Sequence, residues 1–180
     1  MASKSTITLS EAEQKIVTWV AKCRYQCARQ NGIKNARIGG QSNEFTDLNG
    51  FGGEMAFCRL LNIYPDFSIY PRKGGFDCKI DDQKTDVKTT KYASGRLLVR
   101  NHKTEDTVEI YALMVGEFPT YWFAGWISSE QLFNRKPDPN FKNSYVAEQY
   151  ELDKEIESLK NLKNFNSTRQ TTGYNDQEAS

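Results

Sequence analysis

The sequence predicts an α/β domain in which a central mixed β-sheet is flanked by helices. Three observations carry that prediction. The N-terminal segment opens on a capping box, Ser10-Glu11-Ala12-Glu13, and continues with a helical apolar stripe. Residues 76–80 and 85–89 alternate polar and apolar with period two, as the arms of a β-hairpin do. Residues 108–115 are apolar throughout except Glu109, which suits a strand buried on both faces. At 180 residues the chain can bury one core without disulfides, and no internal repeat divides it. Residues 1–163 are therefore expected to form a single domain.

Taken in order, the first helix carries Ile16, Val20, Cys23 and Cys27 on one side and stops at Asn31-Gly32. Residues 31–53 are rich in Gly and Asn and lack periodicity, which predicts a long loop, a flap that substrate would order. Residues 1–49 thus comprise an N-terminal helix and a flexible loop. The glycine-rich Asn49-Gly50-Phe51-Gly52-Gly53 leads into a helix from Glu54, with Met55, Cys58 and Leu61 on its face. A first strand is expected over 64–70 and a hairpin over 76–89, with its tip at Asp81-Asp82-Gln83-Lys84. Leu97-Leu98-Val99 reads as a strand or a helical turn, and 121–127 as the strand after a turn at 116–120. The aromatic residues of 121–126 suit either a core or base stacking.

Ser128-Ser129-Glu130-Gln131 can cap a short helix carrying Leu132 and Phe133. A loop over 134–144, an edge strand at Tyr145-Val146 and an acidic helix over 148–162 complete the C-terminal elements, residues 128–163. Residues 164–180 have almost no apolar side chains and read as a mobile tail.

Charge and cysteine usage narrow the function. Lys and Arg number 24 against 23 Asp and Glu, a net charge of +1, so no global basic field advertises nucleic acid. The cations are nevertheless unevenly placed: Lys15, Lys22, Arg24, Arg29, Lys34 and Arg37 fall in a stretch without acids. That stretch is either a solvated face or a phosphate-contacting wall. No apolar run approaches membrane-spanning length and no signal-peptide core is present, so a reducing cytoplasm is expected, that of a host cell if the chain is phage-encoded. The four cysteines show no Cys-x-x-Cys spacing and read as free thiols, mostly buried, rather than cluster ligands. His102 is the only histidine, which argues against a histidine-based zinc site or a Ser-His-Asp triad.

The chemistry concentrates on the hairpin. With Asp81 and Asp82 at the tip, Asp77 falls opposite Asp86, their Cβ atoms about 5 Å apart. Lys88 then shares their face, while Phe76, Cys78 and Val87 point to the other. Two facing carboxylates repel unless a cation sits with them, and Mg²⁺ is usually held by one or two carboxylates with waters and phosphates. An ordinary solvent-facing hairpin is the alternative. Glu54 adds a third carboxylate, either for a metal or as a first-turn residue complementing the helix dipole.

Glu54, Asp77 and Asp86-Val87-Lys88, in the order helix, strand, strand, resemble the PD-(D/E)XK nuclease superfamily. The resemblance covers residues 50–127 and is closest to phage- and mobile-element-type members, through the Gly-Gly-Glu helix start and the Gly125-Trp126-Ile127 strand end. Phe76 stands where the family's proline precedes the aspartate, and a full crossover helix between the third and fourth strands is not evident.

The resemblance implies a restriction-endonuclease-like core and Mg²⁺-dependent hydrolysis of DNA phosphodiesters, endo- or exonucleolytic, with Mn²⁺ able to substitute. It assigns Glu54, Asp77, Asp86 and Lys88 as catalytic. Glu54, Asp77, Asp86 and the Val87 carbonyl become metal ligands, and Lys88 positions the attacking water. Lys91, Arg96, Arg100 and Arg37 become DNA contacts. The partners implied are DNA and, where both strands are cut, a second copy of the chain in a homodimer. The rival readings are a non-catalytic DNA- or protein-binding module on the same scaffold and a structural phage component.

Overall fold

The computed structural model describes residues 6–33, 40, 42–70, 75–100 and 108–160. Helix α1, Glu11–Gln30, starts where expected. Ser10 accepts from the Glu13 N–H, and the Glu13 carboxylate accepts from the Ser10 N–H at 2.6 Å. Its inward stripe is Val17, Val20 and Ala21, one position round from the stripe expected. Ile16 is 44 % exposed and Trp19 62 %.

Helix α2, Asn43–Leu61, is longer than the sequence suggested. Ser42 caps it by accepting from the Phe45 N–H, so the loop expected over 31–53 ends a full three turns early. Gly52 and Gly53 lie inside this helix, and packing is the reason. A Cβ on Gly52 would meet the Tyr121 hydroxyl at 2.2 Å, and one on Gly53 would meet Thr89 Oγ1 at 2.1 Å. The glycines let α2 approach the sheet where a side chain would hold it off.

The sheet contains β1 (Thr6–Thr8), β2 (Cys78–Ile80), β3 (Gln83–Thr90), β5 (Ile110–Glu117) and β6 (Thr120–Ser128) in the order β1-β6-β5-β3-β2. The β3–β5 pair is parallel and the others antiparallel, so the sheet is mixed. The crossover from β3 to β5 carries β4 (Leu97–Arg100), which pairs with β7 (Ser144–Ala147) in a separate two-stranded ribbon.

Along β5, Ile110, Ala112 and Met114 enter one core, shared with α1 and α2. Tyr111, Leu113 and Val115 enter a second core, beneath β4, β7 and the short helix α3, Ser129–Phe133. Both faces of the sheet are covered, which explains the unbroken apolar run. The fold is α/β with a central mixed sheet between helices and the β4–β7 ribbon.

Two further sequence expectations fail. Residues 64–70 form no strand; Phe67 packs edge-on against Phe51 at 6.1 Å instead of pairing in a sheet. The acidic helix over 148–162 is broken into a turn of 3₁₀ helix at Gln149–Glu151 and α4, Ile156–Lys160. Between them Asp153 exchanges both backbone hydrogen bonds with Trp126, at 2.8 and 2.9 Å, which removes it from any helix. The tail over 164–180 lies outside the described residues.

Candidate functional site

The hairpin sets the geometry. Cys78 pairs with Thr85, Lys79 with Lys84 and Ile80 with Gln83, around a two-residue turn in which Asp81 takes φ 56°. The turn is shorter than the four residues expected, but the register is the same. Extended by one residue, it sets Asp77 opposite Asp86. The Asp77 N–H donates to the Thr85 carbonyl at 2.8 Å, and Asp77 Oδ2 accepts from the Val87 N–H at 2.8 Å. The Asp77 side chain thus continues the ladder where β2 has no further strand to offer.

Asp86 is 2 % exposed, and its Oδ1 accepts a hydrogen bond from the Lys88 ammonium. Two residues apart on one strand, the pair shares a sheet face. Tyr111, the β5 residue in register with Asp86, is also buried.

Glu54 sits mid-helix, which excludes a first-turn dipole role. It accepts from Arg24 Nη1 at 3.1 Å, both side chains about one-seventh exposed. Arg24 also donates to the carbonyls of Ser68 and Asp66, and its guanidinium lies 4.2 Å from the Phe51 ring centroid. Arg24 therefore clamps α1 to α2 and to the extended segment after α2; it does not stand in a phosphate-facing wall. Nothing local signals this, because Glu54 is 30 residues from Arg24 in sequence.

Electrostatics join the four residues more closely than hydrogen bonds do. Burial works against the Lys88 ammonium, but the charges of Asp86, Asp77 and Glu54 and the hydrogen bond to Asp86 outweigh it. The Lys88 pKa is raised above the ordinary lysine value. Near the same hairpin, the Cys78 thiol is pushed far up by its hydrogen bond with Cys58, by burial and by the charges of Asp77 and Glu54. Burial and the charge of Asp86 raise the Tyr111 phenol. All four cysteines are free; Cys58 and Cys78 are buried and Cys23 and Cys27 half-buried.

The donor chemistry suits a hard cation, since carboxylate oxygens are what Mg²⁺ prefers. Among the described residues, the Tyr111 hydroxyl, buried next to Asp86 on β5, and the Thr89 hydroxyl, packed against Gly53, have no hydrogen-bond partner. Among the described residues no group of three or more acids, histidines or cysteines is placed to hold one ion. The three-carboxylate set expected from sequence is not assembled as the side chains stand: Asp77 and Asp86 meet at the hairpin, while Glu54 is engaged by Arg24. A cation here would rest on Asp77 and Asp86, with other oxygens completing its shell.

A groove of about 630 Å³ opens at the C-terminal end of β3, lined by Lys88 to Tyr92, Arg96, Leu98 and Phe141 among others. Of the four DNA contacts expected, Lys91 and Arg96 line it. Arg100 ends β4 in register with Ser144 and does not line the groove, and Arg37 lies outside the described residues. Sequence reasoning missed the rings that accompany these cations. Lys91 lies 5.7 Å from the Phe45 centroid and 5.6 Å from that of Tyr92, and Arg96 lies 5.0 Å from Phe141. Comparison with family models, curated proteins and solved structures returns no match for this chain.

Proposed function

We propose that the protein is a Mg²⁺-dependent nuclease that hydrolyses DNA phosphodiesters at the β2–β3 hairpin. The observation that carries this reading is the contact on β3 between buried Asp86 and half-buried Lys88, set beside Asp77 and held within the field of Glu54. Asp77 and Asp86 would hold the ion, with the Val87 carbonyl as a further oxygen donor and Glu54 assisting. Bound Mg²⁺ would polarise the phosphoryl oxygens and make a coordinated water more acidic.

The chain's own contribution rests on Lys88. Its raised pKa keeps it an ammonium at neutral pH, so it serves as a hydrogen-bond donor and fixed positive charge, not as a general base. Such a group orients the attacking water and stabilises charge developing at phosphorus. In the adjoining groove Lys91 places the DNA backbone, and Arg96, ion-paired with Glu148, adds a second contact to the strand.

The test is cleavage of plasmid and single-stranded DNA with Mg²⁺ or Mn²⁺. Lys88→Ala, checked for retained fold by circular dichroism, is expected to lower the rate by about 10²–10³. Asp86→Ala should weaken metal binding as well. A second reading, a DNA- or protein-binding module, draws on the Asp86–Lys88 contact itself, which balances the buried carboxylate without an ion. Wild-type protein that binds DNA yet cuts no substrate form would establish that reading instead.

A further inference from the structure

We infer that the groove at the end of β3 takes an unpaired DNA strand, with its bases laid against Tyr92 and Phe141 and its phosphates against Lys91. The inference deepens the nuclease reading by naming the substrate class, and rests on it only for placing the cut phosphate beside Lys88.

Three observations carry it. First, the groove sets cations beside rings: Lys91 lies 5.6 Å from the Tyr92 centroid and 5.7 Å from that of Phe45 just outside the lining, and Arg96 stands over Phe141. Surfaces that bind single strands combine these groups, cations tracking the backbone and rings stacking on bases. Second, Tyr92 is 61 % exposed, so its ring has no core to fill. Third, the groove's volume of about 630 Å³ is that of a small-molecule pocket. It has room for one or two nucleotides of an unpaired strand, whereas the base faces of a duplex are already stacked on one another and are not offered to rings. Arg96 is shared with Glu148 at 2.5 Å, which leaves Lys91 as the main phosphate contact and Arg96 as a planar surface beside Phe141.

Fluorescence anisotropy in EDTA tests this without cleavage, with a labelled thymine decamer, the matched duplex and a uridine decamer RNA. The wild type is expected to bind the DNA strand at least tenfold more tightly than the duplex. Tyr92→Ala should lose about tenfold on the strand and leave the duplex unchanged, whereas Tyr92→Phe should retain wild-type binding. Equal or tighter duplex binding, or a Tyr92→Ala variant that binds the strand like wild type, overturns the inference. A tenfold preference for the RNA overturns the assignment to DNA. The two readings fail separately. A strand preference without cleavage in Mg²⁺ or Mn²⁺ removes the nuclease and keeps the groove; duplex cleavage without a strand preference does the reverse.

Discussion

Replacing Lys88 with methionine removes the ammonium while keeping most of the side chain's bulk. It leaves Asp86, 2 % exposed, with its direct cationic partner gone and with Asp77 and Glu54 adding repulsion. Breaking a buried ion pair from one side typically costs about 3–5 kcal/mol. The Lys88 side chain is 32 % exposed, so solvent screens part of the interaction. The expected loss is accordingly about 2–3 kcal/mol. For a chain of this size that is a fall of about 5–10 °C in Tm.

The pH dependence follows from the direction of the shift. A lysine whose pKa is raised by folding contributes stability that is complete below its unfolded value, about 10.4, and lost only as pH climbs through the folded value. The wild-type advantage over Lys88→Met should therefore be flat from pH 7 to 9 and shrink in stronger base. Urea unfolding followed by circular dichroism measures it. Adding Asp86→Asn to Lys88→Met should recover most of the loss. If a cation takes the lysine's place between the carboxylates, Mg²⁺ at ten times its Kd should restabilise Lys88→Met by about 1.4 kcal/mol. A loss under about 0.5 kcal/mol, or strictly additive single and double variants, would refute the reasoning, because contacting charges must couple.

The other predictions concern packing and thiols. Gly53→Ala drives a methyl to 2.1 Å from Thr89 Oγ1 and should cost about 1–3 kcal/mol, partly restored by adding Thr89→Ala. Gly50→Ala, in the same helix with nothing within 4 Å, should instead stabilise by about 0.5–1 kcal/mol; equal effects from the two, by urea unfolding, would contradict the packing described. A thiol-specific chromogenic reagent at pH 8 should find half-buried Cys23 and Cys27 reactive in native protein, and buried Cys58 and Cys78 only after denaturation. Rapid labelling of all four would show that α2 and the hairpin do not pack as described.

What could be read from the sequence was local. The capping box at Ser10 places α1, and the alternation on either side of Asp81-Asp82 fixes the hairpin register to the residue, because a slip by one would turn every side chain over. The apolar run before Gly116 marks β5, since a strand covered on both faces has no polar face to alternate. What could not be read depends on distant partners. Gly50, Gly52 and Gly53 look like a loop until Thr89 and Tyr121 are seen pressed against them. Residues 64–70 read as a strand, but Phe67 packs edge-on against Phe51 of α2 and Tyr64, Ile69 and Tyr70 are exposed. At the candidate site, Asp77, Asp86 and Lys88 were legible because they lie on one hairpin. Arg24 was not, since only the packing of α1 on α2 brings it to Glu54.

The outer edge of β6 has a consequence for solubility. Nine residues long and carrying Tyr121, Trp122, Phe123 and Trp126, such a strand is a template for other chains to pair with. Two short guards occupy it. The three residues of β1 cover Thr120 to Trp122, and Asp153 takes both backbone groups of Trp126. Gly125, at φ 136°, admits the second guard: a Cβ there would sit 2.6 Å from that of Leu152 and 2.7 Å from the Asp153 carbonyl. Gly125→Val should thus reveal itself first as concentration-dependent aggregation, visible by light scattering below the unfolding temperature. Keeping the protein in solution depends on a few residues of backbone, drawn from opposite ends of the described chain.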